Sequence, residues 1–122
     1  MERVYRILAV DNEPSVTTAL RFVFDSPQYD FMCVSNGADA LAHLDCSTPF
    51  DVIIVDQRMP QLTGVELVRE IRRRGIEGKI IVVSANLSAD VCEAYKRMDV
   101  SFILSKPFDI RQLRSAVERL AA

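Results

Sequence analysis

Hydrophobic positions follow two alternating rhythms along this chain. Short runs of strand length occupy residues 6–10, 29–34, 52–55, 79–83 and 101–104. Several are continuously aliphatic and β-branched, as in Val52-Ile53-Ile54-Val55, which suits strands buried on both faces rather than half-wet ones. Between the runs, apolar residues recur at three- and four-residue spacing. Val16, Ala19, Leu20, Val23 and Phe24 form one such stripe, with Pro14 at the first helical position and an end near Ser26-Pro27. A second helix is predicted over 38–44, after a Ser35-Asn36-Gly37 turn, with Leu41 and Leu44 inward. Thr48-Pro49 breaks the chain before the third strand, and a third helix is predicted over 65–74, ending at Gly75 and Gly78. A fourth helix begins at the N-cap candidate Ser88, with Val91, Ala94, Tyr95 and Met98 on one face. Asp109 is suited to cap a fifth, whose Ile110, Leu113, Val117 and Leu120 point inward.

Five strands alternating with five helices, at connection lengths suited to right-handed crossovers, predict an α/β fold. The expected architecture is a flavodoxin-like, doubly wound, five-stranded parallel sheet of order 2-1-3-4-5 in three αβα layers. That order places the first and third strands side by side. Their carboxyl ends carry Asp11 and Asp56, so the two acids are expected to be neighbours. The fifth strand ends in Ser105-Lys106-Pro107, and the fourth in Ser84-Ala85-Asn86. Acids, a hydroxyl and a lysine therefore meet at the sheet edge where ligands bind in such folds.

Composition narrows the classes of function. With 122 residues the chain makes one domain spanning 1–122, 49% hydrophobic and 26% charged, values ordinary for a soluble globular protein. A formal net charge of −2 gives no field that would draw in nucleic acid or an anionic membrane. Cys33, Cys46 and Cys92 are odd in number, lack paired metal spacing and sit in apolar segments. Buried thiols in a reducing compartment are expected, hence the cytoplasm. No signal-length segment follows the charged N-terminus, and no apolar run is long enough to span a bilayer. His43 has no acid or cysteine clustered beside it and is read as a helix-surface residue. Arg72-Arg73-Arg74 is read as a solvated helix C-terminus, where cations suit the macrodipole.

Neighbouring buried carboxylates repel, and a proton or a divalent cation relieves the repulsion. With oxygen ligands, Mg²⁺ is the expected ion, taking one or two carboxylates, waters and a phosphate oxygen. Lys106 supplies a point charge for a phosphoryl group, and the Ser84 hydroxyl one more hydrogen bond. The set fits phosphoryl transfer to Asp56 as carboxylate nucleophile, giving an acyl phosphate.

Val10-Asp11-Asn12-Glu13-Pro14, Asp56 with Met59-Pro60 and Gly64, Val83-Ser84-Ala85 and Lys106-Pro107-Phe108 occur in that order across five βα units. In this the chain resembles a bacterial two-component response-regulator receiver domain of the chemotaxis-regulator type, over essentially all of its length. The resemblance implies that Asp56 is the phosphoacceptor, Asp11 part of the acidic metal pocket, Ser84 the switch hydroxyl and Lys106 the lysine that contacts the phosphoryl. It implies the Arg58 backbone carbonyl as a further metal ligand. The implied function is receipt of phosphate from a histidine kinase or phosphotransfer protein, in a signalling domain rather than an enzyme. The fourth helix, fifth strand and fifth helix would face a partner, a second copy in a homodimer, or a C-terminal effector domain outside this chain.

Two departures from the family pattern stand out. Asn12 replaces a second acid that commonly binds the metal, implying weaker Mg²⁺ binding unless Glu13 compensates. Ile103 stands where the family usually has an aromatic switch residue, with Phe102 on the opposite strand face. A degenerate receiver, acting by protein contact without phosphorylation, is the alternative these departures raise. An aspartyl-phosphate phosphatase would want an Asp-x-Asp pair, whereas Gln57-Arg58 follow Asp56. A flavin protein would want a phosphate-binding loop where Asp11 and Glu13 stand.

Overall fold

The computed structural model describes residues 3–46, 49–85 and 87–121, and the expectations for Thr48, Asn86 and the Cys46 thiol lie outside the described residues. The chain runs β1 (Tyr5–Val10), α1 (Pro14–Val23), β2 (Tyr29–Val34), α2 (Gly37–Cys46), β3 (Val52–Val55), α3 (Gly64–Arg73), β4 (Lys79–Ser84), α4 (Ala89–Lys96), β5 (Phe102–Ser105) and α5 (Ile110–Ala121). All strands pair in parallel in the order β2-β1-β3-β4-β5. This is the architecture expected from the alternation of short continuous runs and helical stripes.

Strand alternation divides the core into two halves. Ile7, Ala9, Val52, Ile54, Ile81, Val83 and Leu104 face Leu20 and Val23 of α1 and Leu113 and Val117 of α5. Leu8, Val10, Ile53, Val55, Ile80 and Val82 face Leu67, Val68 and Ile71 of α3 and Tyr95 of α4. Both sheet faces are thus dry, which is why the strands read as unbroken apolar runs. Phe102 packs with the first half and Ile103 with the second, on opposite faces as expected.

Several boundaries move for identifiable reasons. Helix α1 stops at Val23 and not near Ser26-Pro27, with Phe24 still buried beyond its end. Helix α2 begins at Gly37, because the Asn36 side chain accepts from the Asp39 amide at 2.8 Å and so caps it. Helix α3 is opened by a capping box in which Thr63 and Glu66 satisfy one another's backbone amides. Strand β5 begins at Phe102 and extends to Ser105, which pairs in register with Ser84.

Three packing expectations are corrected. Ile110 is exposed, since it occupies the first turn of α5, ahead of the stripe that reaches the sheet. Cys33 and Cys92 are half-buried free thiols. Arg72 is not a solvated cation: its guanidinium donates to the carbonyls of Met98, Ile76, Gly78 and Asp99 at 3.0–3.3 Å. It ties the end of α3 to the α4–β5 loop, while Arg73 and Arg74 pair with Glu70 and Asp45 at the surface. Among the described residues no helix is long and apolar enough to cross a membrane.

Candidate functional site

The site lies at the carboxyl ends of β1, β3, β4 and β5. Register fixes its first pair, because Val10 is opposite Val55 and the residues that follow them are Asp11 and Asp56. Backbone bonds carry the ladder one step further, from Asp56 N to Val10 O at 3.0 Å and from Asp11 N to Val34 O at 3.1 Å. Both acids are buried, at 4% and 2% exposure, and so is Ser84 at 1%. Ser84 closes β4, and its carbonyl accepts from the Lys106 amide at 3.0 Å, which holds the start of the β5–α5 loop against β4.

Lys106 crosses the edge to the acids. Its ammonium is 2.7 Å from Glu13 Oε1, 2.9 Å from Asp11 Oδ2 and 3.6 Å from Asp56 Oδ2. Glu13 is exposed but held beside Asp11 by the loop after β1, where its own amide donates to Asp11 Oδ1 at 2.9 Å. Carboxylate oxygens of Asp11, Glu13 and Asp56 all lie within 4.8 Å of one another. Asn12 and Arg58, beside them in sequence, are exposed.

Charge is out of balance in this cluster. Burial pushes the Asp11 carboxyl up from its ordinary range, only partly opposed by its bonds from Lys106 and the Glu13 amide, and the Asp56 charge adds to the rise. Burial works against the Lys106 ammonium, but its bonds to Glu13 and Asp11 and the surrounding charges outweigh that and raise its pKa. One ammonium faces three carboxylates. Asp56 Oδ2 is buried without a hydrogen-bond partner among the described residues, an expensive condition unless another group completes it. An all-oxygen donor set with surplus negative charge and an orphaned buried oxygen fits a hard divalent cation.

A second network backs the first. Gln57 follows Asp56, and its Oε1 accepts from the Val65 amide at 2.9 Å and from the Tyr95 hydroxyl at 2.5 Å. Its carbonyl accepts from the Gly64 amide at 2.9 Å. Tyr95 is fully buried. A Cβ on Gly64 would fall 2.2 Å from the Tyr95 hydroxyl and 2.6 Å from the Asp56 carbonyl oxygen, so that position admits glycine alone without rearrangement. From sequence, Tyr95 reads only as a core residue of α4 and Gln57 only as a mismatch to a phosphatase motif. The available signal is that a tyrosine on an inward stripe needs a partner for its hydroxyl.

The family model described as response regulator receiver domain matches residues 7–118. The chain is 30% identical to Regulatory protein AtoC of Escherichia coli K12 over 119 residues, covering 98% of this chain and 26% of that protein. It is 26% identical to Sporulation initiation phosphotransferase F of Bacillus subtilis 168, covering 93% of this chain and 91% of that one. Among solved structures, the Francisella response regulator 1452 receiver domain superposes with a TM-score of 0.85 at 27% identity, covering 95% of both chains.

Proposed function

Because the chain belongs to the response regulator receiver family, we propose that Asp56 accepts a phosphoryl group from a histidine kinase or phosphotransfer protein in two-component phosphorelay signalling. The observation that carries this reading is the buried, unpartnered Asp56 Oδ2 facing Lys106 at 3.6 Å. A carboxylate oxygen that no hydrogen bond occupies keeps its lone pairs for bonding to phosphorus, and an ammonium just beyond it is placed for the oxygens of the group that arrives. In the transfer a bond forms from an Asp56 carboxylate oxygen to phosphorus, and the bond from phosphorus to the donor breaks. Its electron pair leaves with the donor atom, such as a histidine ring nitrogen. Lys106 neutralises charge on the phosphoryl, and the Ser84 hydroxyl donates to it. Water attack on the phosphorus of the acyl phosphate then breaks its bond to the Asp56 oxygen, releasing inorganic phosphate and restoring the carboxylate, so the domain is a phosphoacceptor and not an enzyme acting on other molecules.

Mg²⁺ suits the oxygen cluster: Asp11, Asp56 and Glu13 would hold it, with the Asn12 amide oxygen and the Arg58 carbonyl as further ligands. Such an ion would neutralise phosphoryl charge during transfer. Glu13 is the nearby acid that makes up part of the charge missing at Asn12.

The role of α4, β5 and α5 in this reading is to present the change to a partner, a second copy or an effector domain. AtoC is much longer than this chain, which favours an effector domain in the whole protein, with residues 1–122 as its receiver. A cytoplasmic location agrees with the free thiols and the expected kinase partner. The test is incubation with a small phosphodonor, with and without Mg²⁺, read by intact mass. Mg²⁺-dependent addition to the wild type and none to Asp56→Ala is expected. Equal addition to both would overturn the assignment, and no addition to either would favour a module that acts without phosphorylation.

A further inference from the structure

Helix α4 is the shortest helix of the described fold, and its buried side chain is Tyr95. The ring packs in the same half of the core as Ile103, Leu87 and Val91, behind the fourth strand. Its hydroxyl leaves α4 altogether and reaches the segment after the phosphoacceptor, donating to Gln57 Oε1. That oxygen also receives the Val65 amide at the start of α3. Burial, then the Asp56 charge and then Cys92 raise the Tyr95 pKa, so the hydroxyl remains a protonated donor. Ile103 supplies no ring to the β5 edge, and the aromatic ring whose hydroxyl reaches the residue after Asp56 stands on α4.

We propose that Tyr95 is a positioning residue whose hydrogen bond to Gln57 holds α4 in its unphosphorylated place and is released when Asp56 is phosphorylated. The proposal rests on the phosphoacceptor role of Asp56 given above. Both ends of the bond are attached to parts that phosphorylation pulls on. Gln57 lies between Asp56 and Arg58, and Ser84, drawn to a phosphoryl, carries the loop that opens α4 at the Ser88 cap. A hydrogen bond tolerates only a few tenths of an ångström of lengthening before it weakens. A contact present in one state alone biases the equilibrium between the two by its net strength. Removing it shifts α4 toward the phosphorylated arrangement without any phosphoryl group. The Gln57 oxygen keeps the Val65 amide, so Tyr95→Phe leaves no acceptor stranded.

The experiment compares amide resonances of wild type and Tyr95→Phe, each with and without Mg²⁺ and beryllofluoride as the phosphoryl mimic. In unloaded Tyr95→Phe, the α4 resonances are expected on the straight line between unloaded and loaded wild-type positions. Its dissociation constant for the mimic should fall by about two- to tenfold, the size expected of one net hydrogen bond. Loss of packing alone would scatter resonances without that collinearity. Should Tyr95→Phe give a collapsed spectrum, Gln57→Met removes the acceptor from the other end and must show the same displacement of the α4 resonances, apart from changes at Val65, whose amide loses the same acceptor. Wild-type loading with α4 of the variant unmoved and affinity unchanged overturns this inference alone. Failure of the wild type to load at all overturns the phosphoacceptor reading along with it.

Discussion

The Lys106 ammonium stops 3.6 Å from Asp56 Oδ2, beyond hydrogen-bond length, because Asp11 and Glu13 hold it at 2.9 and 2.7 Å. The lysine is thereby anchored by two acids and aimed past them at a third. A phosphoryl group on Asp56, as proposed, would shorten the gap without requiring Lys106 to abandon its anchors. The same arrangement leaves Asp56 short of a partner in the unmodified state, a cost of the kind that buried sites carry for function.

Asp11 is expected to lower stability at neutral pH. Its folded pKa is raised above its ordinary value of 3.8, so the favourable contribution is fully present below that ordinary value and is lost as pH rises through the folded pKa. Asp11→Asn keeps an acceptor for the Glu13 amide and removes the charge. In urea unfolding without Mg²⁺, the variant should match the wild type at low pH and become the more stable protein as pH rises through the raised Asp11 pKa. Saturating Mg²⁺ should narrow or reverse the difference, since the cation favours the ionised wild-type carboxylate.

Asn12→Asp should tighten Mg²⁺ binding by about tenfold or more, because a factor of ten is only ~1.4 kcal/mol and a new carboxylate at the cluster exceeds that. A metal titration followed by calorimetry or amide shifts measures it. Unchanged affinity would mean that Glu13 already fills the place of the second acid.

Gly64→Ala should cost about 2–3 kcal/mol in thermal or urea unfolding, since the new Cβ meets the Tyr95 hydroxyl and the Asp56 carbonyl and one of those neighbours is backbone. Gly75→Ala meets nothing within 4 Å and is strained only by its φ of +71°, so its cost should be about 1 kcal/mol. The Gly64 variant should also lose phosphodonor labelling, and the Gly75 variant should retain it.

Arg72→Met should destabilise the fold by roughly 2 kcal/mol, because four backbone carbonyls lose a charged donor. Arg73→Met, which loses an exposed pair with Glu70, should change stability by no more than about 0.5 kcal/mol. Equal effects in the two variants would return Arg72 to the role of a surface cation.

What the sequence by itself determined is the frame. Continuous short β-branched runs such as Val52–Val55 suit strands buried on both faces, and helical stripes between them leave a doubly covered parallel sheet as the consistent outcome. Placing Asp11 and Asp56 side by side follows from strand order and from a carboxylate standing directly after each run. These features are local, a matter of which side chains must leave water, and periodicity records them.

The tertiary structure decided which individual polar bonds form. Glu13 and Lys106 stand 93 positions apart and Tyr95 and Gln57 38 apart, and no spacing along the chain foretells either bond. Arg72 in the run Arg72-Arg73-Arg74 looks like its neighbours until the α4–β5 loop is laid against it. Hydrogen bonds are directional and fail within fractions of an ångström, so they depend on how whole elements are set against one another. Burial needs only the right face to point inward, and for that reason the core and the meeting of Lys106 with Asp11 and Asp56 at one sheet edge were legible from sequence, while the individual bonds of Glu13, Tyr95 and Arg72 were not.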